Sequence, residues 1–87
     1  MKLTKDDKNM LREWGYLEND FPQIEEATRK TVYITADDVK ISLQKAIELL
    51  GREEYLSGIA RSSFHMSAVR EYENGKYIYF DSSDLFA

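Results

Sequence analysis

His65 is the single histidine of the chain, and it stands in the run "SSFHMS" beside hydroxyls that a Ser/His nucleophilic pair would use. Adjacent residues on a helix or strand point apart, and a nucleophilic triad is defined by geometry rather than by neighbourhood. A structural or surface role is therefore the expectation for His65. Carboxylates occur in pairs at Asp6-Asp7, Glu25-Glu26, Asp37-Asp38 and Glu53-Glu54. Each pair falls at a helix start or in a polar turn, where negative charge is favoured electrostatically. "DSSD" lacks the glycine and distal glutamate of a calcium loop. The glycines are scattered as helix stops, a turn and one interior position, so no phosphate-cradling loop forms. Cysteine is absent, which removes thiolate nucleophiles, thiolate zinc sites and disulfides. A protein without catalytic activity, cofactor, metal or small-molecule substrate is expected.

The chain of 87 residues is long enough for one modest core, and 43% hydrophobic with 32% charged residues is an ordinary globular composition. The N-terminal "MKLTKDDKNMLREWG" is too charged for a signal peptide, and no apolar run approaches a membrane span. These features, with the lack of cysteine, lead to the expectation of a cytoplasmic protein without membrane contact. The net charge of −4 opposes nucleic-acid binding, which rests on neutralising phosphates. Its distribution is uneven. Residues 1–39 carry six Lys/Arg against nine Asp/Glu, and residues 40–87 six against seven, so the back half permits a local basic face.

Thr4 is a good N-cap, with Asp7 placed to reach back in a capping box, and Gly15 supplies a left-handed stop behind Met10, Leu11 and Trp14. A second, short helix follows, capped by Asp20 or Phe21 with Pro22 in its first turn; Ile24 and Ala27 form its apolar stripe. "KTVYITADDVKIS" changes to period two, reading as two short strands around a turn over residues 31–41; a cap at Asp37 or Asp38 is the alternative. Ser42 then caps a helix with Leu43, Ala46, Ile47 and Leu50 on one face, ending at Gly51. Tyr55, Leu56, Ile59, Ala60 and Phe64 continue the helical period. Gly58 inside it costs about 1 kcal/mol relative to alanine, so either the helix breaks there or something packs against that backbone.

Asn74-Gly75 is a strong hairpin signal. Folding about it pairs Glu73 with Lys76, Tyr72 with Tyr77, Arg70 with Tyr79 and Val69 with Phe80. That register places Val69, Ile78 and Phe80 on the core face and Arg70, Tyr72, Tyr77 and Tyr79 on the other. The tyrosines either cover a neighbouring helix or form a contact face with Arg70; Tyr and Arg are enriched at binding hot spots and also suit a phosphate backbone. Ser82 or Ser83 is expected to cap a last turn holding Leu85 and Phe86. The expected fold is α+β in a single domain: a helical part over residues 1–30, a hairpin over 31–41, then two packed helices and a C-terminal hairpin over 42–87.

From Lys40 onward the pieces "KIS", "QKAIELLG", "REEYLSGIARSSFH", "AVRE", "NGKYIYF" and "DSSDLF" follow an order that resembles the excisionase-type winged helix, a DNA-binding domain of mobile elements. The resemblance covers a little over half the chain. It implies a winged-helix core with Arg52, Ser57, Arg61, Ser62 and His65 on or near a recognition helix, and Arg70 and Lys76 on the wing. Such residues would hold phosphates and read base edges of double-stranded DNA. The whole chain also resembles small proteins of bacterial mobile elements. Two functions follow as expectations: a small DNA-binding accessory or regulatory protein, or a protein-binding inhibitor or adaptor that binds no nucleic acid and uses Tyr72, Tyr77 and Tyr79.

Overall fold

The first helix, α1 (Lys5–Glu13), is closed at both ends by local bonds. The Thr4 hydroxyl accepts the Asp7 N–H at 3.1 Å and Asp7 Oδ2 accepts the Thr4 N–H at 2.8 Å, which completes the capping box. At the other end Gly15 adopts φ +97°, and the N–H groups of Gly15 and Tyr16 donate to the carbonyls of Arg12 and Leu11 at 3.0 Å. The fold described here is that of a computed structural model, covering residues 1–64 and 67–82.

A single 3₁₀ turn (Glu18–Asp20) leads into α2 (Phe21–Lys30), with Pro22 in the first turn where its missing N–H costs nothing. Its buried face is wider than the Ile24/Ala27 stripe, because Phe21 and Thr28 are buried too. Strand β1 (Thr31–Thr35) starts directly at the helix end, and β2 (Lys40–Ile41) returns antiparallel to it through a turn in which Asp38 takes φ +62°. The hairpin expected over residues 31–41 is therefore formed. Ser42 Oγ accepts the Lys45 N–H at 3.1 Å to cap α3 (Leu43–Leu50), and α4 (Arg52–Phe64) follows immediately after Gly51.

Helix α4 does not break at Gly58. A β-carbon there would lie 2.4 Å from Cζ of Phe80, so the ring packs directly on the helix backbone and the missing side chain makes room for it. Phe80 meets Tyr33 edge-on at 5.5 Å and Tyr55 at 6.0 Å between ring centroids, forming an aromatic centre between α4 and the sheet. The Tyr33 and Tyr55 hydroxyls are 2.7 Å apart in this buried site. Tyr33 donates to the Thr28 carbonyl at 3.4 Å, so Tyr55 donates to Tyr33.

The last strands, β3 (Ser67–Glu73) and β4 (Lys76–Ser82), join the first hairpin in one antiparallel sheet of order β2-β1-β4-β3. β1 pairs with β4 along its whole length, from Thr31 opposite Ser82 to Thr35 opposite Ile78. The protein is thus α+β, with the two hairpins sharing one sheet rather than standing apart. On β4, Ile78 and Phe80 are fully buried while Tyr77 and Tyr79 are exposed. The helices therefore cover one face of the sheet and leave the other open, a two-layer arrangement.

The register of the last hairpin differs from the expected one. Glu73 does face Lys76, but an irregularity between Glu71 and Glu73 inserts one extra residue, and from there Glu71 faces Tyr77, Arg70 faces Ile78, Val69 faces Tyr79 and Ala68 faces Phe80. A shift of one residue exchanges the two faces of a strand. Ala68, Arg70 and Tyr72 turn toward the helices, and Val69 turns outward. The last turn expected at Leu85 and Phe86 lies outside the described residues, as does His65.

Candidate functional site

The cationic side chains singled out for DNA contact take different places in the fold. Arg52 opens α4 and grips Asp7, its Nε on Oδ1 at 2.7 Å and its Nη2 on Oδ2 at 2.6 Å. Arg70 faces α4, where Nη2 donates to Ser57 Oγ at 2.7 Å and Nε lies 3.8 Å from Glu54; Nη1 donates to the Val69 carbonyl at 2.7 Å. Ser62 is fully buried and donates to the Ile59 carbonyl at 3.0 Å. Lys76, at the hairpin tip, pairs with Glu73 at 3.0 Å, a bond that raises its pKa above the ordinary lysine value. Arg61 is exposed in the last turn of α4 without an ion pair or hydrogen bond to a described residue.

Arg61 and Arg70 come together along one cleft, Ser57 joins them through Arg70, and Arg52 and Lys76 stand elsewhere. The cleft, about 480 Å³, is lined by Arg61, Ser67, Ala68, Val69, Arg70 and Tyr79. Arg61 shares the cleft with Ser67 to Arg70 of β3, whereas Lys76 starts β4 beyond the Glu73 end of that strand.

The tyrosines divide as well. Tyr72 is half-buried against the core, on the helical side of the sheet. Tyr77 and Tyr79 stand on the open face, 38% and 45% exposed, with Val69 at 40% beside them. β1 adds Val32 and Ile34, both half-buried, because Thr31, Tyr33 and Thr35 point inward. This is an inversion of the ordinary rule. The aliphatic residues of β1 face outward and two threonines face in, one of which, Thr31, has a buried hydroxyl with no partner among the described residues. Cross-strand neighbours knit the outer residues together: Ile34 faces Tyr79, which faces Val69. Lys40, on β2, borders this patch at one edge, Glu71 borders it at the other, and Asp81 lies at one end.

Burial accounts for the titration of the tyrosines beneath this face. Desolvation pushes Tyr33 up to about 12, although the bond from Tyr55 works the other way, and it pushes Tyr55 up still further with Tyr33 as a second cause. Both stay protonated across the ordinary pH range and act as hydrogen-bonding core residues. Among the described residues no three His, Asp or Glu side chains gather as a metal-binding group.

Val32, Ile34 and Val69 are the contributors to the open face that sequence reasoning missed. The only available signal was the alternation in "TVYIT", which separates two faces without saying which is buried. A second exposed apolar area lies where Tyr16 stacks on Phe64 at 6.0 Å and Leu17 is 68% exposed. Among the described residues no helix is long and apolar enough to cross a membrane. No family model, curated protein or solved structure matches the chain.

Proposed function

We propose that the protein is a non-enzymatic, cytoplasmic protein-binding module, an inhibitor or adaptor, whose contact surface is the open face of the sheet. The observation that carries this reading is the outward set Val32, Ile34, Val69, Tyr77 and Tyr79 on three adjacent strands. A contiguous patch of apolar and aromatic side chains on a monomer marks a contact site more often than chance exposure does. Tyrosine supplies a large contact area at low entropic cost, and its hydroxyl keeps the free protein soluble. The partner that fits is a flat protein surface with an apolar centre, carrying an acidic group toward the Lys40 edge and a basic group toward Glu71 and Asp81.

The charge balance supports a protein partner over duplex DNA. The chain carries −4, and Arg52, Arg70 and Lys76 spend their charge on Asp7, Glu54 and Glu73. Of the four cations singled out for phosphate contact, Arg61 alone is left without an ion pair to a described residue, which weakens the case for displacing counterions from a phosphate backbone.

The test pairs two measurements. A photo-crosslinking residue placed at Tyr79 is compared with one at Lys45, exposed on the helical side. Fluorescence anisotropy follows the wild-type protein with mixed-sequence duplex DNA at low and rising salt. The reading expects crosslinks to a defined protein from position 79 alone, lost in Tyr77→Lys, and no DNA binding at tens of micromolar, the range of ordinary non-specific association. Saturable DNA binding that weakens with salt and with Arg61→Glu would overturn it in favour of a DNA-binding accessory protein.

A further inference from the structure

Among the described residues β3 is an edge strand, with a neighbour on one side only in the order β2-β1-β4-β3. Its outer edge is a ready template for another strand unless a bulge, charge or covering element blunts it. The blunting covers only part of β3. The irregularity lies between Glu71 and Glu73, where Glu71 also turns Oε2 back to accept the Gly75 N–H at 3.1 Å. Ser67 to Glu71 pair regularly with β4. Four consecutive residues of this stretch, Ser67 to Arg70, line the same cleft although their side chains point alternately to opposite faces. One cleft can touch all four only by running along the strand edge itself.

We propose that a second copy of this chain adds its β3 antiparallel to this edge about a two-fold axis, joining two four-stranded sheets into one of eight strands. This goes beyond the partner-binding reading and rests on a different observation, the regular free edge.

The register follows from symmetry and charge. Residues opposite one another in an antiparallel pair share a face, so the two-fold axis must pass beside a residue that faces its own copy. An axis at Arg70 opposes two guanidinium groups. An axis at Glu71 opposes two carboxylates and runs at once into the bulge. An axis at Val69 avoids both: Val69 faces Val69, Ala68 faces Arg70, Ser67 faces Glu71, and the ladder ends where the regular stretch ends. The same register sets each copy's Ser67 hydroxyl against the other copy's Glu71 carboxylate on the open face, where it can donate to it. Glu71 keeps Oε1 for that contact. The Val69 carbonyl, which accepts Arg70, has a second lone pair for a strand N–H. The open faces of both copies then merge, bringing two sets of Tyr77 and Tyr79 onto one continuous surface.

Sedimentation equilibrium from about 1 µM to about 1 mM protein, the range that resolves weak and moderate affinities, tests the proposal. The mass is expected to rise with concentration from 10.2 kDa toward twice that value. Val69→Lys changes an exposed side chain and sets two ammonium groups across the axis; it is expected to weaken association about tenfold or more. Thermal unfolding of dilute samples establishes that this variant remains folded. A monomer at every concentration, or a dimer that Val69→Lys leaves intact, would overturn the proposal.

Discussion

Asp7 and Arg52, at the starts of α1 and α4, form a two-pronged ion pair in which the carboxylate is 1% exposed and the guanidinium 42%. The same Asp7 side chain closes the α1 capping box, so one carboxylate holds a helix start and ties it to another helix 45 positions away. The pair is asymmetric. Arg52 can turn to water if its partner is lost, whereas Asp7 cannot. Arg52 therefore serves the architecture of the domain, although it was a candidate for phosphate contact.

Arg52→Met is expected to destabilise the fold by about 3 kcal/mol, the range for stranding a buried charge. The Asp7 carboxyl responds in a definite direction. Burial raises its pKa, but Arg52 and the Thr4 bonds together outweigh burial and hold it below the ordinary 3.8. Its stabilising contribution is complete above 3.8 and is lost as pH falls through the lower folded value. In Arg52→Met the carboxyl should titrate at higher pH than in the wild-type protein, as followed by carboxyl-carbon NMR. An unchanged titration would show that Arg52 is not what holds Asp7 ionised.

Gly58→Ala is expected to destabilise by roughly 1–3 kcal/mol, despite a gain in helix propensity of about 1 kcal/mol. The cause is the Phe80 ring, 2.4 Å from the site of the new methyl group. Combining it with Phe80→Leu should make the two changes less costly together than their sum, a coupling that chemical denaturation of the double-mutant cycle measures.

Tyr33→Phe should cost more than Tyr55→Phe. The first leaves the buried Tyr55 hydroxyl without its acceptor, about 1–3 kcal/mol; the second leaves Tyr33 still bonded to the Thr28 carbonyl, about 1 kcal/mol. Alkaline pH has a stated sign as well. Tyr33 moves from 10.0 to about 12 on folding, so its contribution is complete below 10 and declines as pH rises toward 12. Absorbance at the tyrosinate band should show these two of the six tyrosines ionising only with loss of structure.

Tyr77→Lys and Tyr79→Lys should each cost less than about 1 kcal/mol, since both rings are exposed on the open face. Partner crosslinking, by contrast, should disappear. Melting curves and crosslinking on the same samples separate the two effects. A large loss of stability would mean that the rings serve the fold.

Much of the fold was legible in the chain because its signals are local. Thr4 with Asp7, Ser42 and Gly15 each complete their bonds or dihedrals within a few residues, and Asn74-Gly75 marks the hairpin turn, although Gly75 alone takes a positive φ there and the type I′ turn expected of the pair, with positive φ at both residues, does not form. The Gly58 alternatives were legible too, but the choice between them was not. Phe80 lies 22 positions away, and its approach depends on β4 lying beneath α4.

The candidate site was less legible. Tyr77 and Tyr79 were identifiable as one outward pair, and the structure keeps them so. Arg70 and Tyr72 were placed with them by a register that one extra residue before the turn reverses. Alternation in a strand is unchanged by a one-residue slip, so sequence pattern alone cannot detect that slip.

Residue order by itself determined where helices and strands begin and end, because caps, stops and turns are satisfied by neighbours. The tertiary structure decided that β1 lies beside β4, that Thr31, Tyr33 and Thr35 point inward while Val32 and Ile34 point out, and that Arg52 belongs to Asp7. The helices can cover only one face of the sheet. Which face they take depends on how Phe80 and Tyr33 fill the space against Gly58 and Tyr55, contacts between segments far apart in the chain.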